Sequence, residues 1–399
     1  MNRPPGSNDL HSESERGRSV AACHPWRKNE TRLLLKPRDD SLGLGIGWFP
    51  PPSKNRIAGQ RTPIKTMQIN AMIIHLVIAS LLPLALALAG CVAHGTHTEV
   101  ALSAETRAVG FLVREVPAWS RDNGCFSCHN NGDAARALYA AKRAGFTVPP
   151  AALADTTAWL RKPSRWEHNK GDPGFSDQRL ANLQFASALL AALESGVIDD
   201  RGALLVAAQK VASDQGEAGA WRIESQDSLG SPATYGTTLA TFAAWRVLVE
   251  AETPETKFAA IKAAAWLRHA PMDNLTSIAV AVRFSRRDPS MTTAQRRDEA
   301  LTRLLRSQTT DGGWGPYAGA PAEVFDTSLA LLALAESPRN AGIAATIQRG
   351  RSFLRTQQQN DGGWNATTRP SGGVSYAQRM STTGWATLAL LRTRVAPER

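Results

Sequence analysis

The chain has 399 residues, 43% of them hydrophobic and 20% charged, which is enough apolar material for a large core and too little charge for a disordered polyelectrolyte. Its net charge of +11 invites a nucleic-acid reading, but residues 1–66 alone carry 12 Lys/Arg against 6 Asp/Glu, and the remaining excess is thinly spread. No Lys/Arg cluster interleaves with aromatics, so no nucleic-acid partner is expected.

At the amino end, residues 67–90 (MQINAMIIHLVIASLLPLALALAG) contain no charged side chain, and Cys91 follows directly. An apolar run of this length could cross a bilayer, whereas Pro83 and the small-residue ending fit a secretory signal. The tetrad Leu88-Ala89-Gly90-Cys91 resembles the lipobox of bacterial lipoproteins. That resemblance implies a signal peptide ending at Gly90, acylation of Cys91, and a lipid-anchored protein on the periplasmic side of the cell envelope. An uncleaved anchor and a cleaved soluble protein are the alternatives. Residues 1–66, rich in Pro, Arg and Gly, then read as a gene-model extension upstream of a start at Met67, or as a disordered tail. Residues 91–102 form a tether. Of the four cysteines, Cys23 falls in the extension and Cys91 is the lipid site, which leaves Cys125 and Cys128.

From residue 103 to 399 the pattern is all-α. Ala/Leu-rich stretches predict twelve helices, at 103–118, 132–144, 150–161, 177–195, 200–213, 233–250, 255–269, 274–285, 293–307, 323–336, 341–357 and 377–393. The odd-numbered ones carry Arg, Lys and Gln on one face and tend to end on an aromatic or Leu, then Leu-Arg. Trp159-Leu160-Arg161, Trp266-Leu267-Arg268, Leu304-Leu305-Arg306 and Phe353-Leu354-Arg355 are the instances, with Trp119-Ser120-Arg121 a degenerate member. The even-numbered ones are apolar nearly all round and open on hydroxyl or Asx residues suited to capping. Six outer–inner hairpins closing into an α/α toroid are expected, with the inner helices parallel and their N-termini on one rim.

Two loops read Asp-Gly-Gly-Trp: Asp311, Gly312, Gly313 and Trp314, then Asp361, Gly362, Gly363 and Trp364. With Leu304-Leu305, Gln308, Arg349-Gly350, Phe353-Leu354, Gln357/Gln358 and Ser381-Thr382-Thr383-Gly384-Trp385-Ala386, they resemble the repeat of squalene–hopene cyclases and protein prenyltransferase β-subunits. The resemblance is strong over about 290–395 and fades to pattern level over 100–290. The glycine pair supplies a left-handed turn and the indole packs on the preceding helix, so these residues specify fold rather than chemistry. The resemblance implies an isoprenoid ligand. It also implies an Asp-x-Asp-Asp acid in the cyclases or a zinc held by Asp, Cys and His in the prenyltransferases, and neither set stands in the chain after Cys91. Asp199-Asp200 reads as a cap, and so does Asp326, which has no second carboxylate beside it. Whether the protein is an enzyme is left open.

Cys125-Phe126-Ser127-Cys128-His129 fits Cys-x-x-Cys-His, the attachment pattern of c-type haem. Two thiols so spaced reach the porphyrin vinyl groups, and the adjacent imidazole serves as proximal iron ligand. One covalent haem c on Cys125 and Cys128 with His129 on iron is the expected cofactor. A redox disulfide or half a zinc site are the alternatives, although structural zinc generally wants four ligands. Candidates for the sixth ligand are His94, His97, His168, His269, Met272, Met291 and Met380. His168 and Met380 rank first, as loop residues of the repeats flanking the first. The expected function is electron transfer or redox sensing with a redox partner protein. The alternative is a cyclase-like toroid that binds or transforms a hydrophobic, isoprenoid ligand without haem.

Overall fold

The computed structural model describes residues 102–168, 177–223, 229–232, 234–288, 290–367, 369 and 374–394. Cys91, His94, His97, the segment 67–90 and the extension 1–66 lie outside them. Among the described residues there are twelve α-helices and no strand. They are α1 (Ala104–Asn123), α2 (Ala135–Arg143), α3 (Ala154–Leu160), α4 (Gln178–Glu194), α5 (Gly202–Ser213), α6 (Gly236–Ala251), α7 (Pro254–His269), α8 (Leu275–Ser285), α9 (Met291–Arg306), α10 (Val324–Ala335), α11 (Ala341–Gln357) and α12 (Tyr376–Arg392). No described helix is long and apolar enough to cross a membrane.

The even-numbered helices form a closed ring. Going round it, α2 packs on α4, α4 on α6, α6 on α8, α8 on α10, α10 on α12, and α12 returns to α2. Outside, α5, α7, α9 and α11 lie on α4, α6, α8 and α10, while α1 lies on α12 and closes the circle. Burial follows this division. Every residue of α10 from Phe325 to Leu334 is buried, whereas α9, with the sequence MTTAQRRDEALTRLLR, keeps one charged face in water. The described residues form an all-α toroid of six helical hairpins.

One joint recurs round the ring. Trp314 Nε1 donates to the Leu304 carbonyl and Trp364 Nε1 to that of Leu354, both at 2.8 Å, and each Trp N–H is bound by a threonine of the next inner helix, Thr327 or Thr383. Gln308 and Gln358 each bridge their own loop to the next outer helix, at Thr346 and Ala104. Gly312 and Gly362 have φ of 89° and 97°, and a Cβ on either would strike a carbonyl of that outer helix, at Arg349 or Arg107. Trp221 makes a third copy that no Asp-Gly-Gly announces: its Nε1 binds the Val211 carbonyl, its N–H binds Thr241, and Gln215 bridges to Ala259. At the seam between α1 and α11, Glu105 pairs with buried Arg351, which also donates to the Leu390 carbonyl and Thr393.

Three local expectations are corrected. Helix α1 runs past Pro117 and the expected end at 118 to Asn123, closing at Gly124 with φ 67°, so that Trp119-Ser120-Arg121 does lie in its last turns. Helix α12 is capped by Ser375, which places Ser381 and Thr382 mid-helix and Met380 inside the helix, fully buried, rather than in a loop. Helix α10 has Glu323 at its N-cap position, so Asp326 is not the cap.

Candidate functional site

The first inner helix begins earlier than its sequence suggests. Residues Cys128–Ala134 form a π-helical turn continuous with α2, so Cys128 and His129 open the helix itself. Ser127 caps the turn, its Oγ accepting from the N–H groups of His129 and Asn130. The wider turn presses the backbone between two inner helices. A Cβ on Gly384 of α12 would lie 2.8 Å from the Asp133 carbonyl, and one on Gly132 would lie 2.9 Å from Gln184 Cβ. Its amides are tied outward: Asn130 Nδ2 donates to the Glu115 carbonyl and Tyr376, and Asn131 Nδ2 to Thr156. His129 Nδ1 lies 2.8 Å from Ser381 Oγ, and the imidazole and Cys128 are both buried. Phe126 stacks on Trp159 with ring centroids 4.5 Å apart.

One turn further in, a buried polar knot joins three inner-helix segments. Asp133 accepts from Gln184 Nε2 at 2.7 Å and from the Tyr235 hydroxyl, while the Arg136 guanidinium approaches within 3.5 Å. Tyr235 immediately precedes α6 with φ 59°, a backbone region costly for a bulky residue, and its side chain is fully buried. Burial, reinforced by Asp133, pushes its phenol well above the ordinary range, so it stays a donor. Arg136 lies over the Trp385 ring at 4.1 Å, and Tyr235 and Phe325 meet that ring edge-on at 5.6 and 5.7 Å.

Asp326 is the other buried carboxyl near this rim. It lies 2.8 Å from Arg369 yet neither oxygen accepts a well-aligned hydrogen bond. Burial pushes it up to about 7 against the pull of Arg369, and Glu323 adds to the rise. On α10 the residue seven before cavity-lining Leu332 is Phe325, so an aromatic, not the acid, shares the axial face.

Below the aromatic layer the ring encloses a cavity of about 350 Å³. All six inner helices line it. Leu190, Leu239, Phe242, Leu332, Leu388 and Trp385 form its apolar wall, and Arg136 projects in at the deep end. At the open end, where the inner helices finish, stand Arg143, Glu194, Arg246, Arg283 and Arg392. This volume falls in the range of roughly 300–1,000 Å³ usual for small-molecule sites.

The structure therefore joins His129 to Ser381 and leaves the expected sixth ligands on separate elements. His168 ends the 3-10 helix Pro163–His168, His269 is exposed at the end of α7, Met272 is buried ahead of α8, and Met291 opens α9. Met380 is a core residue next to Ser381 in α12. Among the described residues no group of three His, Cys, Asp or Glu is placed to hold a metal ion. The Asp133–Gln184–Tyr235 knot and the arginine mouth were not foreseen, since their members stand about fifty residues apart and each alone reads as a cap or core residue.

Residues 270–398 match the squalene-hopene cyclase C-terminal domain. A drimenyl diphosphate synthase from Streptomyces showdoensis is 33% identical over 79 residues, 20% of this chain, and the match spans only 15% of that protein. Among solved structures, the type II terpene cyclase MstE from Scytonema is 13% identical, covering 73% of this chain and 98% of its own with a TM-score of 0.46. A single-residue variant of the same cyclase in complex with geranylgeranyl dihydroxybenzoate scores 0.47 at 13% identity, covering 73% and 99%. The Lin0763 protein from Listeria innocua scores 0.44 at 14% identity, covering 71% and 96%. Over residues 270–398 the chain is thus similar to the C-terminal domain of squalene-hopene cyclases.

Proposed function

We propose that the ring binds an elongated hydrophobic ligand of isoprenoid type in its central cavity. The observation that carries this reading is the apolar wall contributed by five of the six inner helices, α8 adding only Arg283. The similarity of residues 270–398 to a cyclase domain, and of a short stretch to a drimenyl diphosphate synthase, supports the same ligand class. Turnover by proton donation would fall to Asp326, a carboxyl that holds a proton near neutral pH. Its face of α10 is turned from the axis, so binding is the activity the geometry supports best. Mass spectrometry of an organic extract of the purified protein should find a co-purified isoprenoid with the thiols unmodified. An empty extract, together with no stabilisation by farnesol or geranylgeraniol, would reject the reading.

A second reading rests on His129. A ligating imidazole generally has its other ring nitrogen hydrogen-bonded, which fixes its orientation, and Ser381 stands at Nδ1. With Cys125 and Cys128 this makes one covalent haem c, and a redox partner protein, the competing proposal. The burial of Cys128 and His129 weighs against it. Co-expression with a haem-attachment system should then give a haem stain that survives denaturing electrophoresis and is lost in the Cys125→Ala, Cys128→Ala double variant. A colourless protein from that host sinks it. If haem is present, spectra of His168→Ala and Met380→Ala report the sixth ligand. Lipid anchoring at Cys91 in the cell envelope is proposed alongside either reading. Incorporation of labelled palmitate, abolished by Cys91→Ala, tests it.

A further inference from the structure

The open end of the central cavity carries more positive charge than its partners balance. Glu194 is shared by Arg143 at 2.8 Å, Arg246 at 3.2 Å and Arg392 at 3.7 Å, and Glu336 by Arg283 at 3.1 Å and Arg287. Two carboxylates thus face five guanidiniums. Burial, with Arg287 and Arg283 close by, brings Arg246 down to about 10, and burial lowers Arg283 as well. Arginines at helix ends commonly answer the partial negative charge of the terminal carbonyls. Here Arg143, Arg246 and Arg283 donate to glutamate side chains instead, which leaves their guanidiniums gathered over the cavity.

We propose, building on the ligand-binding reading above, that the cavity takes an amphiphile with its apolar chain between the inner helices and a multiply anionic, phosphate-type head at the mouth. Arg143, Arg246, Arg283 and Arg392 clasp that head. Guanidinium forks bind phosphate oxygens in pairs, and a diphosphate ester brings negative charge of the size the mouth lacks. A neutral hydrocarbon would leave the cluster repelling itself in a partly desolvated site, which is unfavourable. The wall beneath, from Leu388 and Leu190 up to Trp385, accepts a chain, and the one guanidinium at its deep end, Arg136, is already taken up by Asp133 and the Trp385 ring.

Titration of the full chain with farnesyl diphosphate, farnesol and inorganic pyrophosphate tests the assignment. Farnesyl diphosphate should bind at least about tenfold more tightly than either fragment, with the preference shrinking as salt rises. Arg246→Gln should erase most of that preference by weakening farnesyl diphosphate far more than farnesol. Glu194→Gln, which removes a competing carboxylate, should tighten farnesyl diphosphate, a gain that a misfolded variant would not give. Equal affinity for farnesyl diphosphate and farnesol would overturn the head-group assignment and spare the apolar cavity. Pyrophosphate binding as tightly as the whole amphiphile would overturn the joint site. Failure of all three to bind would overturn this inference and the ligand-binding reading together.

Discussion

At the rim where the inner helices begin, Asp133 faces Gln184, Tyr235 and Arg136, His129 meets Ser381, and the indoles of Trp314 and Trp364 spend their N–H groups on helix carbonyls. At the other end of the same helices, two glutamates are divided among five arginines over an open cavity. At the first end the Asp133 carboxylate is met by donors from two other inner-helix segments, and the second end is left short of counter-charge. A buried carboxylate held by donors from separate helices ties those helices together. A charged cluster without enough partners costs stability unless something outside supplies them. Internal pairing is therefore concentrated at one end of the ring, and the proposed head-group recognition at the other.

Substitutions should divide along the same line. Trp314→Ala at the closed rim removes a fully buried indole with its hydrogen bond, and should cost about 3–5 kcal/mol in urea unfolding. Asp326 sharpens the comparison through pH. Its folded pKa is raised, so its protonated form is favoured by folding, and wild-type stability should fall as pH climbs from about 4 to about 7. Relative to Asp326→Asn, which does not titrate, wild type should lose about 2–4 kcal/mol across that window, measured by unfolding at both ends. Tyr235→Phe leaves Asp133 one donor short and should cost about 1–3 kcal/mol at neutral pH. Arg392→Gln at the open mouth, where the side chain is 51% exposed, should change stability by no more than about 0.5 kcal/mol. A large loss there would erase the division between the two ends.

The helices were legible because each carries its signal locally: apolar runs for the inner ring, a charged stripe for the outer, and glycine pairs at the turns. The Asp-Gly-Gly-Trp loops announced the joint, but Trp221 makes the same joint without the motif, since Gln215, Gly219 and Thr241 suffice for its geometry. The π turn at Cys128 escaped prediction because its width is set by Gly384 and Gln184, which belong to other helices. Asp326 was misread for a related reason. Its place near a helix start suggested a cap, while its burial and its pairing with Arg369 come from a loop more than forty residues away. Single arginines at helix ends look ordinary one at a time, and only ring closure makes them a cluster.

Closure also bears on how the chain reaches this state. Gln358 binds the Ala104 carbonyl across 254 positions of sequence, in the same geometry by which Gln308 reaches Thr346 only 38 positions on. Contacts so distant in sequence form late, since the intervening chain must first be ordered. During synthesis α1 emerges long before α12 exists, and its ring-facing side, from Ala108 to Val116, has to wait for the last hairpin. Yet the joint that closes the circle is built like those within it. A chain re-opened between two other hairpins, with its present ends joined, would meet the same set of interfaces in a different temporal order.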